Sequence, residues 1–173
     1  ESHLKNIHVN RNPESINLLE FPDNFEAEVK VAAAILYEFA KGQSLENIIK
    51  YVRSLKDNER INIIRMYTKF RSNRRHRPGR AFEMVDYTFE LLTNFGMFRD
   101  LHRHRLLTIE RQLLSTKHGY DIPQEIVDLG ISNEFKDCMY ECNEVYEVLS
   151  NRMPEQAQYV VNFAFRYSYF LKV

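Results

Sequence analysis

The hydrophobic period changes along this chain, and that change limits the folds open to it. Between residues 24 and 70 apolar side chains recur at helical spacing. In FEMVDYTFELL, by contrast, Val85, Tyr87, Phe89 and Leu91 alternate with Met84, Asp86, Thr88 and Glu90, the pattern of a strand with one buried face. The final stretch, NFAFRYSYFLKV, alternates in the same way through Phe163, Phe165, Tyr167, Tyr169, Leu171 and Val173. This order of elements predicts an α+β fold. A mostly antiparallel sheet containing residues 82–92 and 162–173 is packed by the helices of 24–70 and 132–150.

Local signals place the helices. Asp23 or Asn24 caps a first helix that Gly42 terminates, Ser44 opens a second, and Asp57 opens a third with Ile61 and Ile64 on one stripe. RSNRRHRPGR, residues 71–80, carries five arginines and a Pro-Gly pair and reads as a loop. Ser132 caps a helix running to about Leu149, and Pro154 starts a short one. Residues 1–14 are expected to be a linker or leader remnant, with INLLEF as linker or a short first strand. The domain proper is expected over 15–173. Glu1, standing where an initiator methionine would, and a last strand with no turn signal predict an excised piece, incomplete at its C-terminus.

Composition narrows the chemistry. With 24 Lys+Arg against 24 Asp+Glu, total charge gives no general attraction to nucleic acid or acidic membrane, so any basic function must be local. The 12 Phe and 10 Tyr are enough to build a real core. The two cysteines, Cys138 and Cys142, sit four apart with no others to complete a metal site or disulfide framework, and read as reduced side chains of a cytoplasmic protein. No apolar run approaches the roughly 20 residues of a membrane span. There is no P-loop, no GxGxxG and no nucleophile elbow.

The local basic feature is FRDLHRHRLLTIERQ, residues 98–112, which puts Arg99, His102, Arg103, His104 and Arg105 within seven positions. Spacing predicts a helix across 94–114, on which Arg99, His102 and Arg103 share one face. HxH on a helix is poor ligand geometry, so no metal site is expected. The planar arginine fork suits phosphate or carboxylate, and positive charge also stabilises a ring system that becomes electron-rich on reduction. A dinucleotide cofactor with a pyrophosphate and a reducible ring would use both properties. The competing reading pairs these side chains with Asp100, Glu110 and other acids on a solvated surface.

These residues resemble the flavin-dependent thymidylate synthases. Arg103-His104-Arg105 matches that family's R-H-R triplet. AFEMVDYTFELLTNFGMFRDLHRHR, residues 81–105, matches its strand-to-helix unit, with Glu83 near the start of the strand. NRRHRPGRAFE, HGYDIP and PEQAQYVVNFAFRYSYF are more similar to a branch in which two such domains are joined in tandem. The resemblance covers about residues 15–173. It implies an FAD-binding enzyme that methylates dUMP to dTMP with methylene-tetrahydrofolate and NADPH. It also implies a homo-oligomer, a tetramer in the family, or a tandem partner domain. Arg103, His104, Arg105, Leu106, Glu83 and Arg80 would contact FAD. Arg99, Asp100, Glu110, Arg111, Ser115 and Arg166 would serve the substrate. No cysteine nucleophile is required.

The chain also departs from the family pattern. Met84 follows the strand Glu where the family usually has His. Beyond the triplet the family reads S-x-N-x-x-S-x-R, and this chain has TIERQLLS: Thr108 substitutes for the first Ser, Leu113 falls where the second Ser should be, and Ser115 takes the place of the Arg. Phosphate binding is then either rebuilt by Arg111 or lost. Two alternatives follow: a catalytically degenerate copy serving assembly with an active domain, and a single-stranded nucleic-acid-binding module using Arg71, Arg74, Arg75, Arg77 and Arg80. Neutral total charge disfavours the second.

Overall fold

The structure, a computed structural model, describes residues 15–173. The expectations for residues 1–14 lie outside the described residues. The described residues divide into two compact units, one from Glu20 to Tyr87 and the other holding Thr88–Val173 with residues 15–19.

The 20–87 unit is helical. Helix α1 (Asn24–Tyr37) starts where Asp23 accepts the Glu26 amide at 2.8 Å. Helix α2 (Leu45–Ser54) starts at Ser44, whose hydroxyl accepts the Asn47 amide at 3.2 Å. Helix α3 (Asp57–Thr68) begins one residue after its cap, Lys56, whose amide donates to Glu59 at 2.9 Å. Between α1 and α2 the chain reverses through Gly42 at φ +93°, a conformation that a side chain resists. Val29, Ala32 and Ala33 pack on Ile48 and Val52, while Val31 and Ile35 pack with Ala81. The alanines let the helices approach closely on both sides of α1. Arg60, 3% exposed, donates to the Leu55 carbonyl at 2.6 Å and to Glu28 and Asp57, with its guanidinium 4.5 Å from the Phe25 ring centre.

Residues 82–92 are not one strand. Arg80–Met84 form a 3-10 turn, because Ala81, Phe82 and Val85 are drawn into the helical core, and the ladder begins only at Thr88. Gly79 precedes that turn; a Cβ there would lie 1.6 Å from the Tyr67 hydroxyl.

The second unit is built on a four-stranded sheet of order β1-β2-β4-β3, from β1 (Ile16–Glu20), β2 (Thr88–Asn94), β3 (Thr108–Arg111) and β4 (Arg166–Lys172). Strand β4 is central and antiparallel to both β2 and β3, with Leu91 opposite Tyr169 and Ile109 opposite Leu171. The strand expected over 162–173 is narrower, Arg166–Lys172: Tyr167, Tyr169 and Leu171 are buried with Phe98 of helix α4 (Phe95–Leu101), while Phe163 lies before the strand and is exposed. After α5 (Gln124–Asp128), helix α6 (Ser132–Ser150) and α7 (Pro154–Ala157) enclose a second core of Met139, Tyr146, Ala157, Val161 and Phe165. Among the described residues no helix is long and apolar enough to cross a membrane.

Candidate functional site

The basic cluster does not lie on one long helix. Helix α4 starts at Asn94, whose side chain accepts the Met97 amide at 2.8 Å. The next amides are taken by the incoming C-terminal chain: Phe95 donates to the Phe165 carbonyl at 3.0 Å and Gly96 to the Phe163 carbonyl at 3.3 Å. The helix stops at Leu101, and residues 102–107 form overlapping turns, with the His104 amide on the Leu101 carbonyl at 2.9 Å and the Leu107 amide on the His104 carbonyl at 3.2 Å. The predicted second half of the helix is instead edge strand β3, recruited by β4. TIER serves equally as a helical turn or a short strand; a partner 60 residues away in sequence decides between them.

Ending the helix at Leu101 creates a cleft of about 440 Å³ lined by Gly96, Phe98, Arg99, Asp100, His102, Arg103 and Phe163. The Arg99 guanidinium stands 5.0 Å from the Phe163 ring centre, and Arg103 is paired with Asp100. The His102 ring leans on Phe98 at 5.4 Å, and its Nε2 stands 3.3 Å from Nη1 of Arg111, which also lies over Phe98 at 5.8 Å. A guanidinium can only donate, so Nε2 of His102 is the acceptor. The wall thus holds two guanidinium groups, Arg99 and Arg103, one internal carboxylate and two aromatic rings, Phe163 exposed and Phe98 buried behind it. That combination suits an anionic group attached to a flat ring.

His104, Arg105 and Leu106 form the tip of the adjoining turn. Leu106 is fully exposed. Ser115, Glu110, Arg111 and Arg166 do not line the cleft. Glu110 and Arg111 sit on β3 beside a groove of about 170 Å³ shared with Glu90, Gln112, Ser168, Tyr169 and Phe170. Ser115 is half-buried next to buried Thr116, and Leu113 is exposed. Arg166 holds Asp121, with Nε 3.1 Å from each carboxylate oxygen, and this hydrogen bonding keeps the Asp121 carboxyl below its ordinary range. His118, half-buried and 3.1 Å from Gln112, has its pKa lowered by burial.

Arg80 and Glu83 belong to the other unit. Glu83 is carried by the 3-10 turn, not by a strand, and forms an exposed ion pair with Arg80 at 3.0 Å that raises the arginine pKa. Phe98 and Phe163, two walls of the cleft, were not among the residues singled out from the sequence. Phe98 reads there as one more core aromatic. Phe163 comes 65 residues later in the sequence, and the Gly96 amide on its carbonyl and the edge-on contact of its ring with Phe95 bring it alongside.

Comparison with known proteins gives the family and the fold. The model of the family described as thymidylate synthase complementing protein matches residues 17–173. The chain is 39% identical to a UPF0159 protein of Chlamydia pneumoniae over 83% of its own length, and 37% identical to one of Thermoplasma acidophilum over 89%. It spans only 27% and 31% of those two relatives. Its fold is similar to that of a UMP/dUMP methylase from Streptomyces cacaoi bound with 5-Br dUMP, at TM-score 0.61 and 16% identity over 91% of this chain and 71% of that one. It is also similar to a flavin-dependent thymidylate synthase from Helicobacter pylori complexed with FAD and dUMP, at TM-score 0.57 and 13% identity over 92% and 78%.

Proposed function

The chain belongs to the thymidylate synthase complementing protein family, and from that premise we propose that it is an FAD-binding, thymidylate synthase-like domain acting on dUMP. The reaction is dUMP plus methylene-tetrahydrofolate, NADPH and a proton giving dTMP, tetrahydrofolate and NADP+. The observation that carries the reading is the Arg103-His104-Arg105 turn, exposed at the end of a cleft that already holds Arg99 and two aromatic walls.

The donor set fits the cofactor. FAD presents a pyrophosphate and a flat ring, and the residues here are guanidinium forks beside Phe98 and Phe163. Arg103, His104 and Arg105, with Leu106, would hold it. When bound, FAD supplies a two-electron carrier between NADPH and the one-carbon unit. The arginines orient the cofactor and balance negative charge, and the exposed Leu106 gains a partner. Arg99 and Asp100 face the substrate from the cleft wall, with Glu110, Arg111, Ser115 and Arg166 serving the nucleotide.

One observation favours a second reading, a copy that binds flavin without turning over dUMP. Leu113 stands exposed where the family has a phosphate-holding Ser, and Arg166 is already engaged by Asp121. Incubating the protein with FAD, NADPH, methylene-tetrahydrofolate and dUMP and measuring dTMP by chromatography separates the two. The first reading predicts dTMP formation. Saturable FAD binding that dUMP does not perturb, without dTMP, selects the second.

A further inference from the structure

We propose that the arginine loop following α3 is a docking surface for single-stranded nucleic acid, with the guanidiniums of Arg74, Arg75 and Arg77 on phosphates and Phe70 stacked on a base. The charge of this neutral chain is unevenly placed. Between Glu59 and Glu83 there is no acidic residue, while eight arginines and lysines fall in residues 60–82. Several of the eight are committed elsewhere: Arg60 is buried in its ion pairs, Arg71 is bonded to backbone, and Arg80 is paired with Glu83. Arg74, Arg75 and Arg77 are exposed, and among the described residues their guanidiniums have no hydrogen bond or ion pair.

The loop has a built shape. The Arg75 amide donates to the Asn73 side chain at 2.9 Å, and the His76 amide donates to the Asn73 carbonyl at 3.2 Å, so Arg74 and Arg75 occupy the tip of a tight turn. Arg71 Nε donates to the His76 carbonyl at 2.8 Å and the Ser72 amide donates to the His76 ring at 3.3 Å. These bonds return residue 76 to the base of the loop and bring Arg77 back toward the end of α3. Phe70 stands at that end, 85% exposed, with the Lys69 ammonium 5.8 Å from its ring centre. A large exposed aromatic next to uncommitted arginines is the arrangement that single strands use, because every base has a face to stack and every nucleotide a phosphate. Compact anions would use the arginines and leave the ring idle.

The test is fluorescence anisotropy of a labelled dodecamer of uridylate or thymidylate titrated with the protein at 50 and 200 mM salt. Three phosphate contacts predict an affinity loss of about 20-fold across that range, and Arg74→Gln with Arg75→Gln should cut the loss to about threefold. Phe70→Ala should weaken binding at least about fivefold without changing the salt dependence. Unchanged thermal melting of the variants keeps the comparison clean. The proposal is overturned by absence of binding, by binding indifferent to these substitutions, by inorganic polyphosphate competing as well as an oligonucleotide of equal charge, or by preferential capture on acidic phospholipid vesicles. None of these outcomes depends on flavin binding.

Discussion

Arg166 grips Asp121 through two bonds from one nitrogen, Nε lying 3.1 Å from each carboxylate oxygen, and so ties the first residue of the central strand to the loop before α5. The hydrogen bond from Arg166 lowers the Asp121 pKa below its ordinary 3.8. A depressed folded-state pKa contributes stability that is present above the unfolded value and is lost as pH falls through the folded one. Both side chains are more than a third exposed, which limits the contribution to under about 1 kcal/mol. Denaturation in urea between pH 2 and 5 should show a shallower acid loss in Asp121→Asn than in the parent protein; identical profiles would dissociate the pair from acid stability.

Phe98 joins the sheet to the cleft. It is 4% exposed, meets the Tyr167 and Tyr169 rings edge-on at 4.8 and 4.9 Å, and supports the His102 ring. Phe98→Ala removes that support and leaves a cavity, at a cost of about 3–5 kcal/mol. A shift of the urea midpoint smaller than about 1 kcal/mol would show that the helix does not rest on this ring.

Arg60 tests the helical unit. Its guanidinium satisfies the Leu55 carbonyl and two carboxylates while covering Phe25. Arg60→Ala should destabilise the protein by about 2 kcal/mol, since it leaves a polar carbonyl and Glu28 without their donor. Arg60→Lys should recover only part of this, because a point charge cannot serve three acceptors.

The C-terminal strand was legible because alternation is a local signal. Tyr167, Tyr169 and Leu171 announced β4, though the strand starts only at Arg166, and caps at Asp23 and Ser44 announced α1 and α2. What escaped the sequence depends on distant partners. The alternation of 82–92 reads as one strand, yet the pull of Ala81, Phe82 and Val85 into the helical core makes Arg80–Met84 a turn and delays the strand to Thr88. Leu101 to Leu113 spaces its apolar residues like a helix, yet Thr108–Arg111 is captured as an edge strand by β4. Arg99, His102 and Arg103, which their spacing puts on one face, do line one cleft, while Phe163, which completes it, arrives through a backbone register with no local signature.

The measurement that bears most directly on the account is titration of the purified protein with FAD, followed by flavin fluorescence, for the parent and for Arg105→Glu. Arg105 is exposed and lies outside both cores, so its reversal should leave folding intact. Saturable quenching is expected for the parent protein and at least about tenfold weaker binding for Arg105→Glu, the loss of a charge-assisted contact compounded by repulsion. Absence of quenching in the parent, or equal affinity in the variant, would contradict the assignment of the Arg103-His104-Arg105 turn to the flavin.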